Sequence, residues 1–135
     1  MQQLILPAKL ESIPKVTAWI DEVLDALDCP MKIRVQIDVA IDEIFSNIAY
    51  YAYPEKNGTA EVQIDFDAQE RMFSMTFIDS GTPFNPLKRA DPNTALGPRE
   101  RAIGGLGIFL VKKTMHDVIY RHKNGHNVLT LKKRI

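Results

Sequence analysis

Glu43 and Asn47 stand four residues apart in the run Ile41-Asp42-Glu43-Ile44-Phe45-Ser46-Asn47-Ile48. On an α-helix that spacing brings both to one face, with Asn47 about 40° round from Glu43. A carboxylate there can take a proton from a hydroxyl, and an amide oxygen beside it can ligate a hard cation. On the helix alone the pair reads first as a polar border to the core, so a chemical role needs an anion opposite. Gly104-Gly105-Leu106-Gly107-Ile108 provides for one. Glycines at a helix start let backbone N–H groups approach an anion closely, and the helix dipole favours negative charge there. No strand precedes the cluster and no Gly-Lys-Ser/Thr follows it, which excludes the dinucleotide fingerprint and the P-loop. A lid hinge is its other reading. The third group is Asp79-Ser80-Gly81, at the end of an apolar run. An aspartate at the end of a buried strand can accept a hydrogen bond in an apolar pocket, as from the exocyclic amine of a purine. Gly81 would leave space for a flat ring, although Asp-Ser-Gly alone is a turn.

These groups need elements to hold them. Ile13, Val16, Ile20, Val23, Leu24 and Leu27 recur at helical spacing and predict a helix over 11–27, with Ser12 and Pro14 at its start and Cys29-Pro30 after it. A second helix is predicted over 32–51, stopped by Tyr53-Pro54 and the turn Lys56-Asn57-Gly58. Measured from Glu43, its Ile33, Ile37, Ala40, Ile41, Ile44, Ile48 and Tyr51 fall in an arc of about 60° to 160°. Asp38, Asp42, Ser46 and Ala49 take the solvent side. Strands are predicted over 3–6, 60–66 and 72–78, the last two as a hairpin. A third helix runs over 104–115, and strands over 118–122 and 128–134 are joined at Asn124-Gly125. Residues 79–103 hold four of the eight prolines and no apolar period, a loop long enough to require a functional reason. The order predicts a single domain, 1–135, of the α+β class. Its form is a two-layer sandwich, three helices on one face of a mixed, mainly antiparallel sheet.

Lysine plus arginine balances aspartate plus glutamate, 17 against 17, so bulk charge selects neither nucleic acid nor an anionic membrane. Lys132-Lys133-Arg134 reads as a solvated strand end. The single cysteine, Cys29, excludes an internal disulfide and suits a reducing compartment. The first residues lack the features of a signal peptide, and no stretch approaches the roughly 18 apolar residues of a membrane span. A soluble, cytoplasmic protein is expected. His116, His122 and His126 lie near the last strands and read as surface or strand residues, not as a metal set.

In this order the motifs resemble the GHKL ATPase superfamily, and most closely the small bacterial anti-sigma factor serine kinases. Glu43-x-x-x-Asn47 resembles the N box, Asp79-x-Gly81 with Pro83-Phe84-Asn85-Pro86 the G1 box, and Gly104-Gly105-Leu106-Gly107-Ile108 the G2 box. Asn127-Val128-Leu129-Thr130-Leu131 matches the closing strand. The resemblance implies the histidine-kinase-like ATPase fold, with ATP and Mg²⁺ as cofactors. By it, Asn47 would hold the metal, Glu43 would act as general base, and Asp79 would bind the adenine amine. Gly81 would pack on the base and Thr130 would support through water. Gly105, Gly107 and Ile108 would offer amides to the phosphates. Residues 87–103 would form the ATP lid, carrying Arg99 and Arg101 as cations for the terminal phosphate or as ordinary solvated arginines. Where relatives often have His-Ala/Gly-Tyr after the N box, this chain has Tyr51-Ala52-Tyr53.

The function so implied is an ATP-dependent serine/threonine protein kinase that phosphorylates an antagonist protein and sequesters a sigma factor or similar regulator. Homodimerisation is expected from the resemblance alone. The alternative is a nucleotide-dependent protein-binding module without transfer. Glu43 favours the kinase, because a pure binder has no need of a base.

Overall fold

The computed structural model describes residues 1–55, 57–88 and 105–135. Arg99, Arg101, Gly104 and nearly all of the expected lid lie outside the described residues, with Leu87 and Lys88 in one 3-10 turn, Pro86–Lys88. The elements follow in the order β1 Gln2–Pro7, α1 Ile13–Ala26, α2 Met31–Tyr51, β2 Thr59–Asp67, β3 Met72–Asp79, α3 Gly105–Thr114, β4 Asp117–Lys123 and β5 His126–Arg134.

The sheet order is β1-β2-β3-β5-β4, and all four pairings are antiparallel. The sheet is therefore purely antiparallel where a mixed, mainly antiparallel one was expected, because each strand lies beside a partner reached by reversal of the chain. The Asn124-Gly125 turn joining β4 to β5 has φ of 54° and 79° at its two residues, the left-handed geometry that suits a tight hairpin.

Period-2 alternation decides the two faces. Phe73, Met75, Phe77 and Asp79 of β3 are buried while the residues between them are half-buried. Ala60, Val62 and Ile64 of β2 and Asn127, Leu129 and Leu131 of β5 share that buried face. The helices cover it with Val16, Ile20 and Leu24 from α1, Ile37, Ile41, Ile44 and Phe45 from α2, and Ile108 and Val111 from α3. Each fully buried large apolar side chain stabilises the fold by about 1.5–3 kcal/mol. Two polar residues, Asp79 and Asn127, sit on the apolar face directly opposite one another in register.

α2 packs against both α1 and α3, so two of its flanks are covered. This changes the expected solvent side. Ala49 is buried, and Asp38 is half-buried against α1. There Arg34 bonds Asp25 Oδ1 at 2.6 Å and the Asp21 carbonyl at 2.9 Å, with Asp21 Oδ1 at 3.4 Å. The Asp38 carboxyl is pushed up to about 7 by burial first, then by its hydrogen bond and charge repulsion with Asp21, Arg34 opposing. Tyr51, placed in the apolar arc, is 45% exposed, because α2 there has run past the core and the ring turns to Phe84, 5.5 Å between centroids. Beyond α2, Tyr53 ties three segments. Its hydroxyl donates to the Thr59 carbonyl at 2.6 Å and accepts the Ser80 N–H at 2.9 Å.

Candidate functional site

A narrow slot opens between α2 and the sheet. α2 lines it with Ile44, Asn47, Ile48 and Ala52; β3, β5 and β4 contribute Phe77, Asp79, Asn127, Leu129 and Tyr120; Thr82, Phe84 and Pro86 close one side. A mostly apolar cleft with a few polar side chains is the usual form of a small-molecule site. Asn47 is only 8% exposed, and among the described residues its Nδ2 finds no hydrogen-bond partner. Buried amides are otherwise nearly always bonded, so this one is suited to a ligand.

Asp79 and Asn127 form the polar floor. Asp79 Oδ1 accepts the Gly81 N–H at 2.9 Å and the Asn127 Nδ2–H at 2.9 Å. Asn127 Nδ2 also donates to the Thr82 carbonyl at 3.0 Å. Its Oδ1 accepts the Phe84 N–H at 3.2 Å and the Tyr120 hydroxyl. Burial holds the Tyr120 hydroxyl above its ordinary pKa, the Phe84 amide opposing and the Asp79 charge adding to the rise. Asn127 and Tyr120 were not among the residues expected here. Strand parity could have found Asn127, since it shares the face of Leu129 and Leu131.

The same parity corrects Thr130. Its side chain lies on the opposite, outer face of the sheet, 3.2 Å from Thr76 Oγ1 and beside Ile119, Arg121, Val128 and Lys132. It does not line the slot, and Asn127 takes the place expected of it beside Asp79.

Gly81 is also placed differently. A Cβ there would overlap the backbone of Ala52, whose carbonyl accepts the Thr82 N–H at 2.7 Å. The glycine is required by close approach of the loop to the end of α2, and it is not among the residues that line the slot. Gly107 meets Glu43. A Cβ at Gly107 would overlap the Glu43 carboxylate, so the first turn of α3 and the expected base are in contact. Negative charge is favoured at that helix end. Gly105 is the first residue of α3, and Ile108 is buried in the core at 2% exposure. The structure thus gathers Asn47 and Asp79 on the slot and sets Glu43 against Gly107. Thr130 is excluded, and Arg101 lies outside the described residues.

The chain is similar in sequence to several known proteins. The profile of the histidine kinase-like ATPase domain family matches residues 6–133. The serine-protein kinase RsbW of Bacillus thuringiensis is 30% identical over 131 residues, 94% of this chain and 81% of that protein. The serine/threonine-protein kinase BtrW of Bordetella bronchiseptica is 24% identical over 113 residues, 84% of this chain and 79% of that protein. The catalytic domain of histidine kinase ThkA aligns over 99% of this chain and 97% of its own, with a TM-score of 0.49 and 11% identity. With its motifs in order and the family profile spanning nearly its whole length, this chain belongs to the histidine kinase-like ATPase domain family.

Proposed function

We propose that the chain is an ATP-dependent serine/threonine protein kinase, acting in the cytoplasm on a serine of an antagonist protein and sequestering a sigma factor or similar regulator. The observation that carries this reading is one apolar slot lined by both Asp79 and Asn47, whose Nδ2 is unpartnered among the described residues, with Glu43 on the same helix as Asn47. Asp79 has both of its described bonds on Oδ1. Its other oxygen is left for a donor, as the adenine amine provides. The phosphates would then lie toward the glycines that begin α3.

The residues present fit a magnesium ion, because the Oδ1 of a buried neutral amide, one helical turn from the Glu43 carboxylate, is the sparse oxygen ligation that Mg²⁺ accepts when phosphates and water complete its shell. Asn47 would hold it, and the ion would neutralise charge on the phosphates. Glu43 takes the proton of the substrate serine as its Oγ bonds the γ-phosphorus. The bridging P–O bond breaks, and ADP leaves with the electron pair. The relatives named as serine kinases support the transfer reading. A phosphate added to an interface serine would then change which partner is held, through charge and desolvation.

The test is calorimetric titration of ATP with and without Mg²⁺ on the wild type and Asn47→Ala, followed by phosphate transfer to the antagonist protein with Glu43→Gln. Metal-dependent binding lost in Asn47→Ala, and transfer lost in Glu43→Gln with binding spared, are expected. Binding without transfer in the wild type would leave a nucleotide-dependent protein-binding module, and no binding would overturn the nucleotide site itself.

A further inference from the structure

We infer that Tyr120 is a positioning residue for nucleotide selectivity: through Asn127 it fixes Asp79 as a hydrogen-bond acceptor and so selects purines with a 6-amino group. The inference rests on the nucleotide reading above. Its basis is the hydrogen-bond pattern at Asn127. Both Nδ2 donors are used, to Asp79 Oδ1 at 2.9 Å and the Thr82 carbonyl at 3.0 Å. Oδ1 accepts twice, from the Tyr120 hydroxyl and the Phe84 N–H. An amide is nearly symmetric in shape, so only its partners decide which end faces the carboxylate. Turned over, Asn127 would set its oxygen against the Asp79 carboxylate and the Thr82 carbonyl, and its NH₂ against the Phe84 N–H.

Of the four partners, the Tyr120 hydroxyl is the only side-chain donor, and it is reached from a different strand, β4. The raised pKa of Tyr120 keeps that hydroxyl protonated and donating. Asn127 in turn presents N–H to Asp79, with a second N–H from Gly81, and both fall on Oδ1. The carboxylate is thus oriented, with Oδ2 as an acceptor for whatever enters the slot. A base lacking the 6-amino group would bury that acceptor without a donor, which is the costly case for a charged group.

The experiment is the ratio of dissociation constants for ATP and its 6-deamino analogue, purine riboside triphosphate. It is measured by calorimetry with Mg²⁺ on the wild type, Tyr120→Phe and Asn127→Ser, each checked by its thermal melt. The wild type should prefer ATP by roughly 10- to 100-fold, the range of one hydrogen bond to a charged group. Tyr120→Phe should cut that preference to about a third or less, chiefly by weakening ATP, and Asn127→Ser should do the same if Tyr120→Phe folds poorly. A ratio unchanged in both variants, or equal weakening of the two nucleotides, overturns the inference. A wild type that binds neither nucleotide overturns the nucleotide reading instead.

Discussion

The contact between Gly107 and Glu43 lets a single methyl group test where the proposed base is held. In Gly107→Ala the new Cβ overlaps the Glu43 carboxylate and nothing else among its nearest atoms, so the flexible side chain must give way. Gly107 lies in α3, where alanine is favoured over glycine by about 0.5–1 kcal/mol. Forcing Glu43 off its preferred rotamer costs about 0.5–1.5 kcal/mol. The two nearly cancel, so Gly107→Ala should melt within about 5 °C of the wild type. In a Glu43→Ala background the overlap is gone, and the same substitution should stabilise by the helix contribution alone. The cycle of four proteins, measured by urea unfolding, should therefore show a coupling of about 1 kcal/mol. Phosphate transfer should fall about 100-fold in Gly107→Ala, the scale for moving a catalytic group by an ångström. Strict additivity in the cycle would refute the contact. Full transfer by Gly107→Ala would refute the requirement that Glu43 stay where α3 holds it.

Gly81→Ala should behave in the opposite way, because its Cβ meets the Ala52 backbone, which cannot swing aside. Overpacking together with loss of the Thr82 N–H to Ala52 bond should destabilise by about 2–4 kcal/mol in urea unfolding. The Asp38 carboxyl, raised from 3.8 to about 7, keeps its proton in the folded state over a window where the unfolded chain has lost it. Stability should therefore fall as pH rises from about 4 to about 7. Asp38→Asn should remove that slope and, with the partial exposure of the group screening its charge, be about 1 kcal/mol more stable than wild type at pH 8 but no more stable at pH 4. Unfolding curves at the two pH values check it.

The elements were legible because burial of a single face imposes a local period, and that period survives in a single sequence. The runs read over 60–66 and 72–78 are β2 and β3 to within a residue or two at each end, since Val62, Ile64, Phe73, Met75 and Phe77 alternate against polar neighbours. The neighbours of a helix are less legible. Nothing local in α2 tells that α1 covers the flank of Asp38 and Arg34, because the partners Asp21 and Asp25 lie on another helix, across the Cys29-Pro30 break. A polar residue on the rim of an amphipathic helix looks the same whether water or a second helix faces it.

The candidate site divides along the same line. Asn47 and Asp79 could be placed from the sequence because each sits within an element whose face is set by its own period. Thr130 was assigned by resemblance to a motif against what its strand allows. Leu129 and Leu131 must face the core, so Thr130 cannot, and Asn127 must. Tyr120 follows from Asn127 only through the pairing of β4 with β5, where it stands opposite Leu129 on the inner face. A polar side chain at an inward strand position, two residues before an apolar pair, is the local signal for such a partner. It predicts a buried acceptor or donor on the adjacent strand before the pairing is known, since an amide in an apolar layer without a partner would be too costly to retain.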